Sequence, residues 1–129
     1  MKDESVMNDS DLKSRTKTFA LRIIKLYAAL PKSVEAQVLG KQLIRTGTSV
    51  GAHYREAQRA KSDLDFISKI EGALQELDET SYWLELIEES GIFASERLKP
   101  LRTEAEELTK ILVTIVKQVK QKVKSGGSV

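Results

Sequence analysis

A chain of 129 residues with 40% hydrophobic and 31% charged side chains suits one globular domain and excludes a disordered polymer. It contains no cysteine, which removes disulfides, thiolate zinc sites and a cysteine nucleophile together. The net charge of +2 conceals a segregation of +6 over residues 1–62, −9 over 63–107 and +5 over 108–129, a pattern suited either to a polyanion-binding face or to acidic and basic helices meeting between subunits.

Only two prolines occur, and Ala, Leu, Glu, Lys, Gln and Arg dominate, so helix propensity is high along most of the length. The opening MKDESVMNDSD is polar, and no aliphatic run approaches the length of a membrane span. The expectation is a cytoplasmic protein with no membrane partner. Residues 1–9 read as a frayed tail. Leu12, Thr16, Phe19, Ile23, Leu26/Tyr27 and Leu30 then recur at three- and four-residue steps, giving a first helix over about 10–30 that Pro31 stops.

Ser33 is placed to cap a second helix over about 34–60, whose core stripe is Leu39, Leu43, Thr46, Val50, Tyr54 and Ala57. Ser62 and Asp65 form a capping-box-like pair for a third helix, about 63–90, with Phe66/Ile67, Ile70, Leu74, Leu77, Ser81, Leu84 and Ile87 inward and Gly91 as its stop. The fourth, about 96–124, has Ser95 as a possible cap. Pro100 argues that regular helix begins only near Lys99, ahead of Leu101, Ala105, Leu108, Leu112, Ile115, Val119 and Val123. Residues 125–129 read as a second tail. Four amphipathic segments with short links imply an all-α, antiparallel, up-down-up-down four-helix bundle over 10–124.

The stretch RTGTSVGAHYREA, residues 45–57, interrupts that simplicity. A turn between two shorter helices would explain its glycines, but the apolar stripe keeps its phase through them, which favours one continuous helix. Each mid-helix glycine then costs about 1 kcal/mol relative to alanine. Gly40, Gly47 and Gly51 share a side where another backbone can come close, as small-residue faces allow. Gln42, Arg45, Ser49 and Glu56 form a separate polar stripe. A helix with apolar, smooth and polar faces is expected to meet a neighbouring subunit as well as its own core, so Gly47→Leu should break assembly and spare helicity.

Glu76 and Glu79 lie one turn apart on the third helix and, with Glu56 and His53, invite comparison with di-iron carboxylate bundles. That design needs two Glu-x-x-His units, whereas this chain holds one histidine in all. The expectation is no metal, no cofactor and no catalysis, with Glu76 or Glu79 answering Arg45 or Arg55 in a partly buried ion-pair network. Thr48 and Ser49 lack a base and orienter at identifiable spacing. Trp83 and Tyr82, with Phe66, read as core or interface anchors. Two basic groups remain: Lys41, Arg55 and Arg59 on the second helix, and Lys117, Lys120 and Lys124 on one face of the fourth. Such residues contact phosphates in a salt-sensitive, sequence-tolerant manner, so RNA or another nucleic acid is the expected ligand. A protein-interaction scaffold whose charges steer assembly is the alternative.

KQLIRTGTSVGAHYREAQRAKSDLDFISKI, residues 41–70, and ELDETSYWLELI, residues 76–87, resemble the signature of four-helix-bundle proteins encoded in intervening sequences of bacterial 23S ribosomal RNA genes. The similarity is looser over FALRIIKLYAALPKS and the fourth helix. Members of that family typically have Asn where this chain has His53. The resemblance implies a ring-like homopentamer of largely unassigned function, with a conjectured link to RNA.

Overall fold

The computed structural model describes residues 9–126. Over these it contains four helices and no strand: α1 Asp9–Ala29, α2 Val34–Gln58, α3 Asp63–Glu89 and α4 Ser95–Lys124. The expected tail at 1–9 lies outside the described residues except for Asp9, which opens α1. The expected tail at 125–129 lies outside them from residue 127 on. Among the described residues no helix is long and apolar enough to cross a membrane.

The boundaries follow from local chemistry. Ser33 accepts a hydrogen bond from the Ala36 N–H at 3.3 Å and opens α2. Ser62 accepts from the Asp65 N–H at 3.1 Å, while the Asp65 carboxylate accepts from the Lys61 N–H at 3.1 Å; this satisfies donors that no helical carbonyl can reach. At the far end of α3, Gly91 takes φ +75°, and the N–H groups of Ile92 and Gly91 bond back to the carbonyls of Ile87 and Glu88. This is a Schellman closure, which needs a residue without Cβ at the left-handed position.

One boundary departs from expectation. Regular helix begins at Ser95 and runs straight through Pro100, and the cap is Ala94, which makes no side-chain capping bond. Only the hydrogen bond from position 100 to the Glu96 carbonyl is forfeited. Glu96 is exposed, so water is at hand, while Leu98 and Leu101, both buried, hold the helix on either side of the proline.

The helices pack as a bundle in which α1 touches α2, α2 touches α3, α3 touches α4, and α4 returns to α1. The α2/α3 seam is the most extensive and the α1/α4 seam the thinnest, and no contact crosses either diagonal among the described residues. The core holds Phe19, Ile23, Leu43, Val50, Tyr54, Ile70, Leu77, Leu84, Leu108 and Leu112, each at most 1% exposed. Its α1 members match the expected stripe. On α3, by contrast, Ala73 and Thr80 are buried where Leu74 and Ser81 were expected, and those two are only half-buried. Near the end of α4, Val116 is buried while Ile115, Val119 and Val123 are partly covered.

Candidate functional site

The glycine stretch is helical throughout, and α2 runs unbroken from Val34 to Gln58. Its smooth face, expected at a subunit contact, is instead filled by α1 of the same chain. A Cβ at Gly40 would stand 2.8 Å from atoms of both Tyr27 and Leu30, one at Gly47 2.8 Å from Ile23 Cγ1, and one at Gly51 3.2 Å from Thr16 Oγ1. Gly47 and Gly51 are therefore places where two helices of one fold come close, and Gly47→Leu would strike the fold before any assembly. Position numbers fall on α1 as they rise on α2.

The opposite flank of α2 carries polar groups toward α3. Thr80 Oγ1 lies 2.9 Å from Thr46 Oγ1, and each hydroxyl also reaches a carbonyl one turn back on its own helix, so one short chain of O–H donors serves both buried groups. Thr46 belongs to the expected stripe; Thr80 was missed.

Of the anticipated polar network, Gln42, Arg45 and Glu79 do come together. Arg45 donates to Gln42 Oε1 at 2.9 Å and to Glu79 Oε1 at 3.4 Å. The ion pair is open to water, with side chains 56% and 38% exposed, so it contributes at most about 1 kcal/mol. That corrects the expected partly buried network at this pair. Arg55 takes no part in it, and Glu76 is answered by His53 rather than by arginine. His53 Nε2 lies 3.5 Å from Glu76 Oε2, and Nδ1 lies 3.1 Å from Glu56 Oε1. Gly72 leaves room for that imidazole, since a Cβ there would stand 3.2 Å from His53 Nδ1.

Glu76 Oε1 and the Trp83 indole N–H are buried without a hydrogen-bond partner among the described residues. Trp83 packs against the core and sits 5.2 Å from the Tyr82 ring centroid, whereas Tyr82 itself is exposed. The Ser49 and Thr48 hydroxyls donate to the Arg45 and Ile44 carbonyls, both at 2.7 Å. No group of three or more His, Asp or Glu side chains among the described residues is arranged to hold a metal ion.

The basic residues are redistributed by the fold. Lys41 precedes Arg55 by four helical turns, about 21 Å at ~1.5 Å per residue, so it does not join Arg55 and Arg59. Those two line a shallow concavity of about 500 Å³ together with Lys61 and Lys69, and with the acids Glu56 and Asp65. On α4, Lys120 bonds Glu71 at 3.1 Å and Lys122 bonds Asp63 at 3.4 Å, which fixes the last turns of α4 beside the first turns of α3. The two basic groups thus share one end of the bundle. Lys117 and Lys124 are exposed there and enter no ion pair among the described residues.

The strongest ion pair escaped sequence reasoning. Arg15 grips Glu104 with two hydrogen bonds, at 2.7 and 2.9 Å, across the thin α1/α4 seam. The bond to Glu104 raises the guanidinium pKa above its ordinary value. Nothing in helical periodicity links positions 89 apart. At the opposite end from the lysines, Glu88 is held by Ser95 and Arg102, in that order of effect, and its carboxyl pKa is lowered.

The model of the family described as 23S rRNA-intervening sequence protein matches residues 8–114. Among solved structures, the 1.70 Å crystal structure of a protein of unknown function from the S23 ribosomal protein family of Bacteroides thetaiotaomicron VPI-5482 is similar. It is 40% identical, with a TM-score of 0.80, over 86% of this chain and 99% of that one. No curated protein matches.

Proposed function

The chain belongs to the 23S rRNA-intervening sequence protein family, and on that footing we propose that it works without catalysis, as a homo-oligomeric binder of RNA or another nucleic acid. The observation that carries the proposal is that Arg55, Arg59, Lys61 and Lys69 line one concavity at the same end of the bundle as the α4 lysines. Cations gathered over one surface neutralise phosphates and release counterions without reading sequence. Repetition around an oligomer then sums weak contacts by avidity.

Support for a non-catalytic role comes from committed side chains. The chain's one histidine is engaged by two carboxylates, and the Ser49 and Thr48 hydroxyls are given to backbone carbonyls. Opposite-running contacts, such as Gly40 to Tyr27 and Gly51 to Thr16, support an antiparallel up-down-up-down arrangement. Leu21, Ile24, Val34 and Val38 are exposed apolar side chains that favour assembly; a pentamer and a cytoplasmic setting complete the proposal.

The test is titration of generic single-stranded RNA into the full chain at several salt concentrations. With about four phosphates neutralised per subunit, the log–log salt slope is roughly −3, and affinity falls about 50-fold over a fourfold rise in salt. A second reading, a protein-interaction scaffold, is favoured by the two lysines already held by Glu71 and Asp63. RNA binding that is absent or indifferent to salt would select it.

A further inference from the structure

A groove runs along the outer side of the α3/α4 seam, lined on α3 by the small, half-buried Ser81. It comprises two contiguous concavities of about 530 and 500 Å³ that share Asp78, Ser81 and Glu106 as lining. Leu74 and Val113 give it an apolar floor, while Asp78, Glu85 and Glu106 form an acidic rim. None of those three carboxylates enters an ion pair among the described residues. Of the two cations that line it, Arg102 is already held by Glu88, and Lys110 stands without an acid partner.

The complementary surface is the outward face of α1. Lys17, Leu21, Ile24 and Ala28 follow one another at steps of four, three and four residues, so they form one ridge. Leu21 is 56% and Ile24 43% exposed, with Lys13 and Lys25 exposed on either side. No acidic residue occurs between Leu12 and Val34. Lys17 to Ala28 spans eleven helical steps, as do Leu74 to Glu85 on α3 and Arg102 to Val113 on α4. Ridge and groove are therefore each about 16 Å long at ~1.5 Å per residue.

These two surfaces do not meet within one molecule: Leu21 and Ile24 of the ridge are exposed, and no α1 residue lines the groove. We infer that the basic apolar ridge of α1 docks into the acidic α3/α4 groove of a second copy of this chain. The contact is heterologous: each subunit offers a ridge on one side and a groove on another, so repetition closes into a ring or extends as a filament. Charge complementarity sets the register, and covering Leu21 and Ile24 supplies the apolar area. The inference rests on the homo-oligomer proposed above and specifies its interface.

The test is light scattering of the full chain at micromolar concentration, with helicity checked by circular dichroism. Four proteins are compared: wild type, Lys17→Glu/Lys25→Glu, Glu85→Lys/Glu106→Lys, and all four substitutions combined. The expected result is that each pair of reversals weakens association roughly 100-fold and lowers the mass toward the 14.4 kDa of one chain. The combined variant, with both charges exchanged, reassembles. If wild type is oligomeric and either pair leaves the mass unchanged, or the combined variant stays dissociated, the docking is wrong and the oligomer stands. A wild-type mass of one chain overturns both.

Discussion

Gly47 lies against the branched side chain of Ile23, which is fully buried and stiff about χ1, so it has nowhere to yield. Gly47→Ala gains about 1 kcal/mol of helix propensity but overpacks a closed seam at a cost of about 1–3 kcal/mol. The expected net effect is a loss of up to about 2 kcal/mol, read by urea denaturation. At Gly51→Ala the tightest contact is the Thr16 hydroxyl, at 3.2 Å, with other Thr16 atoms at 3.4 Å and beyond, so propensity and crowding nearly cancel and stability stays within about 0.5 kcal/mol of wild type. Equal losses at both sites would mean that α1 does not lie as described. Glu88 offers a pH-dependent test. Ser95 and then Arg102 depress its folded pKa below the ordinary 4.5, so the unfolded chain takes up the proton first. The contribution is complete above that value and disappears as pH falls through the lower folded value. The stability difference between wild type and Glu88→Gln should accordingly narrow in acid; a difference that is constant from neutral pH downward would exclude the linkage.

At the scale of helices, the weakest seam has the best-formed ion pair. The Arg15 and Glu104 side chains are 31% and 17% exposed, intermediate between the solvated pairs that contribute little and the buried ones dominated by desolvation. A double-mutant cycle with Arg15→Met and Glu104→Gln should give a coupling of about 1–2 kcal/mol, as expected for bidentate charge-assisted bonds. A value near zero would leave α4 held to α1 by its apolar side chains alone. This pair also marks where sequence stops being legible. Periodicity reports which face of a helix is apolar, so the α1 stripe and the unbroken α2 could be read directly, and Ser33 and Ser62 announced their caps. It does not report how closely two faces approach. Thr80 faces the α2 seam, where it meets Thr46, while Leu74 turns toward the α4 groove. The glycines were legible as a close-approach surface, but whether α1 or another subunit fills it depends on tertiary packing. Pro100 misled because one absent N–H near a helix start is a local loss that Leu98 and Leu101 outweigh.

Across the whole molecule, charge that nearly cancels in sum is divided among separate surfaces with separable consequences. The lysines and arginines at the α2/α4 end lie apart from the α1 ridge, so neutralising one set should leave the other's behaviour intact. On the proposed binding of nucleic acid, Arg55→Gln/Arg59→Gln removes two phosphate contacts per subunit. It should flatten the RNA salt slope by roughly 1.4 for single strands, weaken binding at low salt, and leave the mass of the assembly unchanged. Lys17→Glu/Lys25→Glu should reduce the mass while preserving the slope per subunit. Affinity would then fall by about 10²-fold or more, because contacts once linked within a single particle become independent events. Salt slope and particle mass, measured on the same two variants, therefore assign each basic surface its role. If Arg55→Gln/Arg59→Gln dissociates the particle and leaves the slope unaltered, the bundle's basic end is a subunit contact and the scaffold reading replaces nucleic-acid binding.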